Sequence, residues 1–323
     1  MRAEIAEGER RGVKETSGPS RWMSMSQIEA LNFYLFVSPW VIGFLVLILG
    51  AVLFSLGMSA TDWRLGRDIS FVGLENYVKA LTIDPMFWRS LRITATYSAV
   101  AVPLNLAAGL AVAILLNQNV KGLSTFRTLF YLPSLVGGVA QSLLWVWIFN
   151  PEFGLLNWLL SLVGIQGPDW IFSPEWALPS FILMNLWTIG SGMLINLASL
   201  QGIPTHLYEA AEIDGAGAIQ RFRHVTLPMM TPVIFFNLIM GIIASFQIFT
   251  QAYVMTNGGP ANATLFYVLH LYRNAFEYLN MGYASALAWI LFVVILLLTL
   301  LVFRSSAMWV FYQGELRGQE KRS

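Results

Sequence analysis

Six stretches of about twenty apolar residues constrain this chain more than anything else in it. They run over roughly 31–56, 92–116, 128–149, 176–199, 229–250 and 284–303, and none of the eighteen acidic residues falls inside them. A helix rises about 1.5 Å per residue, so about 20 apolar residues cross the hydrocarbon of a bilayer. Pro103, Gly137, Gly138, Pro179 and Pro232 lie within these stretches. Spanning helices tolerate such residues where neighbours satisfy the freed backbone groups. The expected fold is therefore all-α, a polytopic membrane protein with six transmembrane helices.

Composition narrows the function classes. Charged residues make up 11% of the chain, against about 25% in soluble domains. A net charge of +1 offers no basic field, so lipid is an expected partner and nucleic acid is not. The absence of cysteine removes disulfide frameworks and thiolate metal sites. His206, His224 and His270 are scattered, and neither a metal-binding spacing nor a nucleophile–base–acid cluster is present, so an enzyme is not expected. No GxxxxGK[ST] loop occurs. If ATP is used, another polypeptide binds it. No carboxylate or lysine stands mid-span, which argues against an ion-coupled carrier.

Orientation follows from the bases. With a cytoplasmic N-terminus, the inner segments hold thirteen of the nineteen Lys and Arg residues, so both termini are expected inside. Residues 1–30 read as a polar, mobile cytoplasmic tail, 31–312 as the membrane domain and 313–323 as a second cytoplasmic tail. The first apolar run is too long for a secretory signal and has no cleavage pattern after it, so it reads as the first span. Outside, FVGLENYVKAL reads as an amphipathic segment with Phe71, Leu74, Tyr77, Val78 and Leu81 apolar. GLLNWLLSLVGI reads as a helix along the outer surface, and TNGGPANAT as a turn before an aromatic-rich helix.

The inner loop at about 200–228 is the least greasy part of the membrane domain. Thr205 is the expected N-cap of a short helix over Leu207–Ile213. Gly215 and Gly217 allow a turn, and Ala218 to His224 forms a second short helix bearing Arg221 and Arg223. The fifth span then begins at Leu227-Pro228. A helix resting on lipid accounts for the two arginines. It accounts poorly for Glu209, Glu212 and Asp214, three acids in six residues, which suit a basic protein partner better than an anionic membrane surface.

Glu209-Ala210-Ala211, Gly215, and the close Val225-x-Leu227-Pro228 resemble the EAA loop of ATP-binding-cassette (ABC) importer permeases. IPTHLYEAAEIDGAG, FVGLENY, GLLNWLL, TNGGP and GYASA resemble the carbohydrate-uptake branch, the maltose and glycerol-phosphate type permeases, over about residues 31–312. The resemblance implies the type I importer permease core and a prokaryotic inner-membrane location. It also implies that the loop is a coupling helix docking on a separate ATPase, with Glu209, Ala210, Ala211, Asp214 and Gly215 the coupling residues. ATP and Mg would then be bound by that ATPase, and no cofactor by this chain. One such loop per chain implies a second permease subunit, usually a distinct one in this branch, and the resemblance also implies an extracytoplasmic sugar-binding protein that delivers the substrate. A polyol or glycerol phosphate is the alternative solute; a phosphate would call for Arg or Lys facing the path, and none lies mid-span.

Polar side chains inside spans are costly in lipid and are therefore candidates for a substrate path. Ser134, Gln141, Asn185, Trp187, Ser245 and Gln247 are the expected path residues, with Asn105, Asn196 and Asn237 as further polar positions. The Asn185-x-Trp187 pair offers an amide to sugar hydroxyls and a ring to the sugar C–H face. By resemblance to the maltose permease, that pair, Ser134 and the region of Ser245 and Gln247 match positions near its sugar, while Ile189 departs from that pattern. Any one of these polar residues also suits helix-to-helix hydrogen bonding, with the Asn185-x-Trp187 pair favoured for the path.

Overall fold

The computed structural model describes residues 24–311, apart from Leu65, Arg67, Asn119 and Val120. Residues 1–23 of the expected N-terminal tail and all of the expected C-terminal tail, 313–323, lie outside the described residues. Every described element is helical except one isolated bridge, Thr61 to Phe71. The elements are α1 (Met25–Ser59), α2 (Glu75–Thr82), α3 (Pro85–Leu116), α4 (Leu123–Leu135), α5 (Gly138–Ile148) and α6 (Leu155–Leu162). They continue as α7 (Pro174–Leu186), α8 (Gly190–Gln201), α9 (Thr205–Ile213), α10 (Ala218–Met255), α11 (Tyr267–Tyr272) and α12 (Met281–Ser306).

Four of these, α1, α3, α10 and α12, are each long and apolar enough to cross a bilayer. The pairs α4–α5 and α7–α8 meet the same test jointly, each bent at a short break, by 101° and 44°. Counting each pair as one span gives the six expected from the sequence.

The chain divides into two units, with the boundary after Ser55. The first is the α1 helix up to that point. It starts at a capping box in which Gln27 N–H donates to Ser24 Oγ and Ser24 N–H to Gln27 Oε1, which satisfies two N-terminal donors at once. The helix begins six residues before the expected end of the polar tail, so Met25–Ala30 belong to it.

The second unit, from Leu56 on, holds three apolar clusters. Tyr97, Trp145, Phe149, Phe181 and Phe266 lie in one, and Phe87, Tyr267, Tyr283 and Leu287 in another. Met193, Leu197, Leu200 and Met230 anchor the third, nearest the polar loop. Small residues let the spans approach, as is usual where lipid supplies no hydrophobic drive between helices. A Cβ on Gly241 of α10 would meet Val102 Cγ1 of α3 at 2.9 Å, and a Cβ on Gly190 of α8 would meet Tyr131 Cα of α4 at 2.7 Å.

Several local expectations are corrected. Helix α2 turns its amide inward and its apolar side out. Asn76 is buried and donates to the carbonyls of Ser59 (2.9 Å) and Thr61 (2.8 Å), while Phe71, Leu74, Val78 and Leu81 stay exposed. The carbonyls of Ser59, the last residue of α1, and of Thr61 just beyond it need a donor, and Asn76 supplies it from the buried side of α2. The third span is not straight, because Pro133 sits in a 3-10 turn over Leu132–Leu135 and Val136 is extended before Gly137. The fourth breaks where both Thr188 N–H (3.1 Å) and Thr188 Oγ1 (2.9 Å) donate to the Asn185 carbonyl, a local capture that competes with the helical ladder.

Candidate functional site

Two of the breaks, that between α7 and α8 and one within α10, converge on one cavity. Helix α10 is interrupted over Gln247–Phe249 before resuming at Thr250, and Gln247, Ile248, Phe249, Thr250 and Gln251 all line a space of about 670 Å³. Asn185 and Thr188, at the break between α7 and α8, line it too, as do Tyr97, Asn105 and Gly109 of α3. Irregular backbone at membrane depth persists only where protein buries it or where it faces a watery cavity.

The wall mixes apolar side chains such as Phe236, Met240 and Phe249 with polar groups that carry no charge. Seven carboxamides face it: Asn105, Gln141, Asn185, Asn196, Asn237, Gln247 and Gln251. Hydroxyls come from Tyr97, Thr188, Ser191, Ser245 and Thr250, and none of the lining residues is Asp, Glu, Lys, Arg or His. Three polar ties fix the spans around this space. Asn105 Nδ2 donates to Asn185 Oδ1 at 3.0 Å, joining α3 to α7. Asn237 Nδ2 donates to Asn196 Oδ1 at 3.1 Å, joining α10 to α8. The Ser245 hydroxyl is hydrogen-bonded to Ser98 Oγ at 2.7 Å, joining α10 to α3. Such ties between spanning helices average about 0.6 kcal/mol each and reach about 1–2 kcal/mol.

Of the six path residues expected from the sequence, Gln141, Asn185, Ser245 and Gln247 share this cavity. Ser134 and Trp187 are not among its lining residues. Ser134 donates to the Tyr131 carbonyl at 2.6 Å within the 3-10 turn. The Trp187 ring stands edge-on to Trp145, centroids 6.0 Å apart, against the first apolar cluster. Sequence reading passed over Tyr97 and Gln251. Tyr97 stands among Thr94, Thr96 and Ser98 at the start of the second stretch, where nothing singles out its hydroxyl, and Gln251 falls just past the expected end of the fifth span.

The polar loop forms a second distinct surface. Helix α9 starts one residue earlier than the N-cap reading placed it: Pro204 is the cap, with no side-chain hydrogen bond, and Thr205 is the first helical residue. Leu207 and Tyr208 pack on the third apolar cluster, and Tyr208 Oη is 3.0 Å from Thr226 Oγ1. The opposite side presents Glu209, Ala210, Glu212, Ile213, Asp214 and Gly215 exposed, with Ala211 half-buried. Gly215 has φ +78°, a region that glycine enters at no steric cost. The expected second short helix is instead the start of α10, which runs on from Ala218 through a π-helical stretch over Phe222–Thr226. Pro228 supplies no N–H, and the widened turn just before it absorbs the missing bond. Arg221 Nη1 lies 3.4 Å from Glu212 Oε2 across the turn.

A buried cluster that linear motifs did not reveal ties the N-terminus of α3 to α11 and α12. Asp84 Oδ1 caps α3 through the Met86 N–H at 2.9 Å. Its Oδ2 accepts from Tyr283 Oη at 2.7 Å and from His270 Nε2 at 3.0 Å. Burial alone raises the Asp84 carboxyl, but the hydrogen bond from Tyr283, the neighbouring His270 and the Met86 N–H outweigh it and hold the group below its ordinary value. Burial pushes the His270 imidazole below its ordinary value despite Asp84, with Arg273 acting in the same direction as burial. A carboxylate only accepts, so the hydrogen between the two groups sits on His270 Nε2.

Broken apolar spans around an amide-lined cavity, with an exposed acidic loop at one end, define a helical membrane permease rather than an enzyme. Residues 105–309 match the family described as the binding-protein-dependent transport system inner membrane component. The chain belongs to that family. It is 45% identical over 289 residues to the probable ABC transporter permease protein YesP of Bacillus subtilis (strain 168), covering 87% of this chain and 92% of that one. It is 35% identical over 283 residues to the trehalose/maltose transport system permease protein MalF of Thermococcus litoralis, covering 84% and 92%. Among solved structures, a chain of a bacterial alginate ABC transporter, in complex with an alginate pentasaccharide-bound periplasmic protein, shares the fold. Its TM-score is 0.77 at 22% identity, over 87% of this chain and 96% of that one.

Proposed function

We propose that this chain is the membrane-spanning permease subunit of an ATP-driven sugar importer. The single observation carrying the sugar reading is the cavity wall: seven carboxamides and no charged side chain. A sugar offers many hydroxyls, each both donor and acceptor, and carboxamides supply both roles without the desolvation cost of an ion. Relatives described as permeases for trehalose/maltose, lactose and arabinooligosaccharides support the same reading. A phosphorylated solute would call for arginine or lysine at the wall, so the uncharged lining favours a sugar or a neutral polyol over glycerol phosphate.

In this reading Gln141, Asn185, Ser245 and Gln247 contact the sugar, and a second permease subunit completes the path. An extracytoplasmic binding protein delivers the substrate, and separate ATPase subunits hold ATP and Mg. Both termini face the cytoplasm, and α9 is the coupling helix. The exposure of Ile213 (87%) and Ile219 (82%) on either side of Gly215 supports docking of this turn. Two bare aliphatic side chains beside Glu209 and Asp214 fit a partner cleft with an apolar floor and a basic rim.

Purification of the tagged chain from its host's membranes in a mild detergent tests the assembly. A second six-span protein and an ATPase should co-purify, and Glu209→Arg should lower recovery of the ATPase alone. Recovery of the chain only with copies of itself, unchanged by Glu209→Arg, would overturn the reading.

A further inference from the structure

The cavity's amides are not interchangeable, because one of them is fixed by a backbone carbonyl. Asn105 Nδ2 lies 3.2 Å from the Asn185 main-chain oxygen and 3.0 Å from the Asn185 side-chain oxygen. A carbonyl only accepts, so the Asn105 atom facing it must be the NH₂ group. The Asn185 atom facing that same NH₂ must then be Oδ1. Amide orientation is ordinarily a choice made from the surrounding network; here a main-chain oxygen dictates it for both residues.

The consequence is directional. Asn185 has both its oxygens engaged by neighbours: the main-chain one by Asn105 and Thr188, the side-chain one by Asn105. Its Nδ2 group gives one hydrogen to the hydroxyl of Tyr97, which lines the same cavity, and keeps its second for a ligand. Asn105 has spent its donor on Asn185 and keeps Oδ1 as an acceptor. Both residues line the cavity. The pair thus offers one donor beside one acceptor, drawn from two different spans, and this arrangement matches adjacent hydroxyls on one sugar ring, one accepting and one donating.

We propose that Asn105 is a specificity-determining and positioning residue. It sets the side-chain direction of Asn185 across the break between α7 and α8, and with it forms a donor–acceptor pair for a vicinal diol. This rests on the sugar-permease reading above. The position also suits the break itself, since Asn185 is the residue whose carbonyl Thr188 has drawn out of the regular ladder. A donor from α3 holds the side chain that the helix no longer orients.

The test uses the complete importer, with partner permease, ATPase and binding protein, in proteoliposomes. The probes are labelled maltose, trehalose, lactose and arabinotriose, and uptake of the best-transported one is measured in wild type, Asn105→Leu and Asn105→Thr. Leucine keeps the volume and loses both polar roles; threonine keeps one donor. Asn105→Leu should raise the KM for uptake about ten-fold while the maximal rate and subunit stoichiometry hold. Asn105→Thr should recover part of that loss. A deoxy analogue lacking one of the paired hydroxyls should be discriminated less by Asn105→Leu than by wild type. A fall in maximal rate with unchanged KM, or equal discrimination in both proteins, overturns the positioning role. Failure of wild type to take up any of the four sugars, with ATP hydrolysis intact, counts against the sugar reading itself.

Discussion

Asp84 and His270 are 186 positions apart in the chain, yet the carboxylate Oδ2 and the imidazole Nε2 are 3.0 Å apart. This contact, with Tyr283 Oη on the same oxygen at 2.7 Å, ties α3, α11 and α12 together at one end of the second unit. Each group sits below its ordinary value, 3.8 for the carboxyl and 6.5 for the imidazole. The unfolded chain therefore takes up protons first as the pH falls. Each contribution to stability is complete above the ordinary value and is lost as the pH falls toward and through the folded one. The melting temperature in detergent should fall as pH drops below 6.5, the imidazole's ordinary value, and again in the carboxyl range. His270→Gln should flatten the first part only. A melting temperature that rises on acidification through that range would contradict the assignment.

Asn76 carries a simpler load. Its Nδ2 group serves the carbonyls of Ser59 and Thr61 from a buried position. Asn76→Leu leaves both without that donor and should cost about 1–3 kcal/mol, read as a lower thermal midpoint of the purified chain. Val78→Ala on the exposed side of α2 should leave that midpoint within about 0.5 kcal/mol of wild type.

Gly190 is where the two bent spans touch. A Cβ there would strike the Phe130 carbonyl oxygen and sit 2.7 Å from Tyr131 Cα. These are backbone atoms, so relief requires α4 and α8 to separate. Gly190→Ala should cost about 1–3 kcal/mol, the range for overpacking a tight contact, and lower transport with it. Gly57→Ala, with nothing within 4 Å of its Cβ, should not lower the midpoint. Equal behaviour of the two variants would show that the contact between the bent spans is slack.

Gly215 tests the loop by conformation rather than contact. Its φ of +78° with nothing within 4 Å of a Cβ means a substitution meets backbone strain alone. Gly215→Val should cost about 1–2 kcal/mol locally and uncouple ATP hydrolysis from transport, while the assembled complex survives. Measuring sugar-stimulated hydrolysis and uptake on the same vesicles separates uncoupling from loss of protein.

Much of this was legible in the sequence because bilayer length and hydropathy leave few alternatives. All six spans and the glycine turn at 215 fall where the apolar runs and the glycine spacing put them. The breaks were less legible, for local reasons. Thr188 reads as an ordinary span residue until its hydroxyl is seen bonded to the Asn185 carbonyl. The interruption at Gln247–Phe249 has no proline or glycine to mark it. The polar run at 218–224 looked separable from the fifth span, because composition does not reveal that helical geometry continues through a π stretch. Trp187 reads as a sugar platform from its nearness to Asn185, yet residues two apart on a helix do not face each other, and its ring faces Trp145 instead. The Asp84–His270 contact has no linear signature, since three separate elements must fold before it exists.

The most direct test of the account is the ratio of sugar imported to ATP hydrolysed by the reconstituted importer carrying Glu209→Arg. If α9 transmits the work of the ATPase, this variant should insert normally and the ratio should fall at least ten-fold. An unchanged ratio, with normal uptake, would show that the loop is only a membrane-surface helix and that coupling runs through another part of the chain.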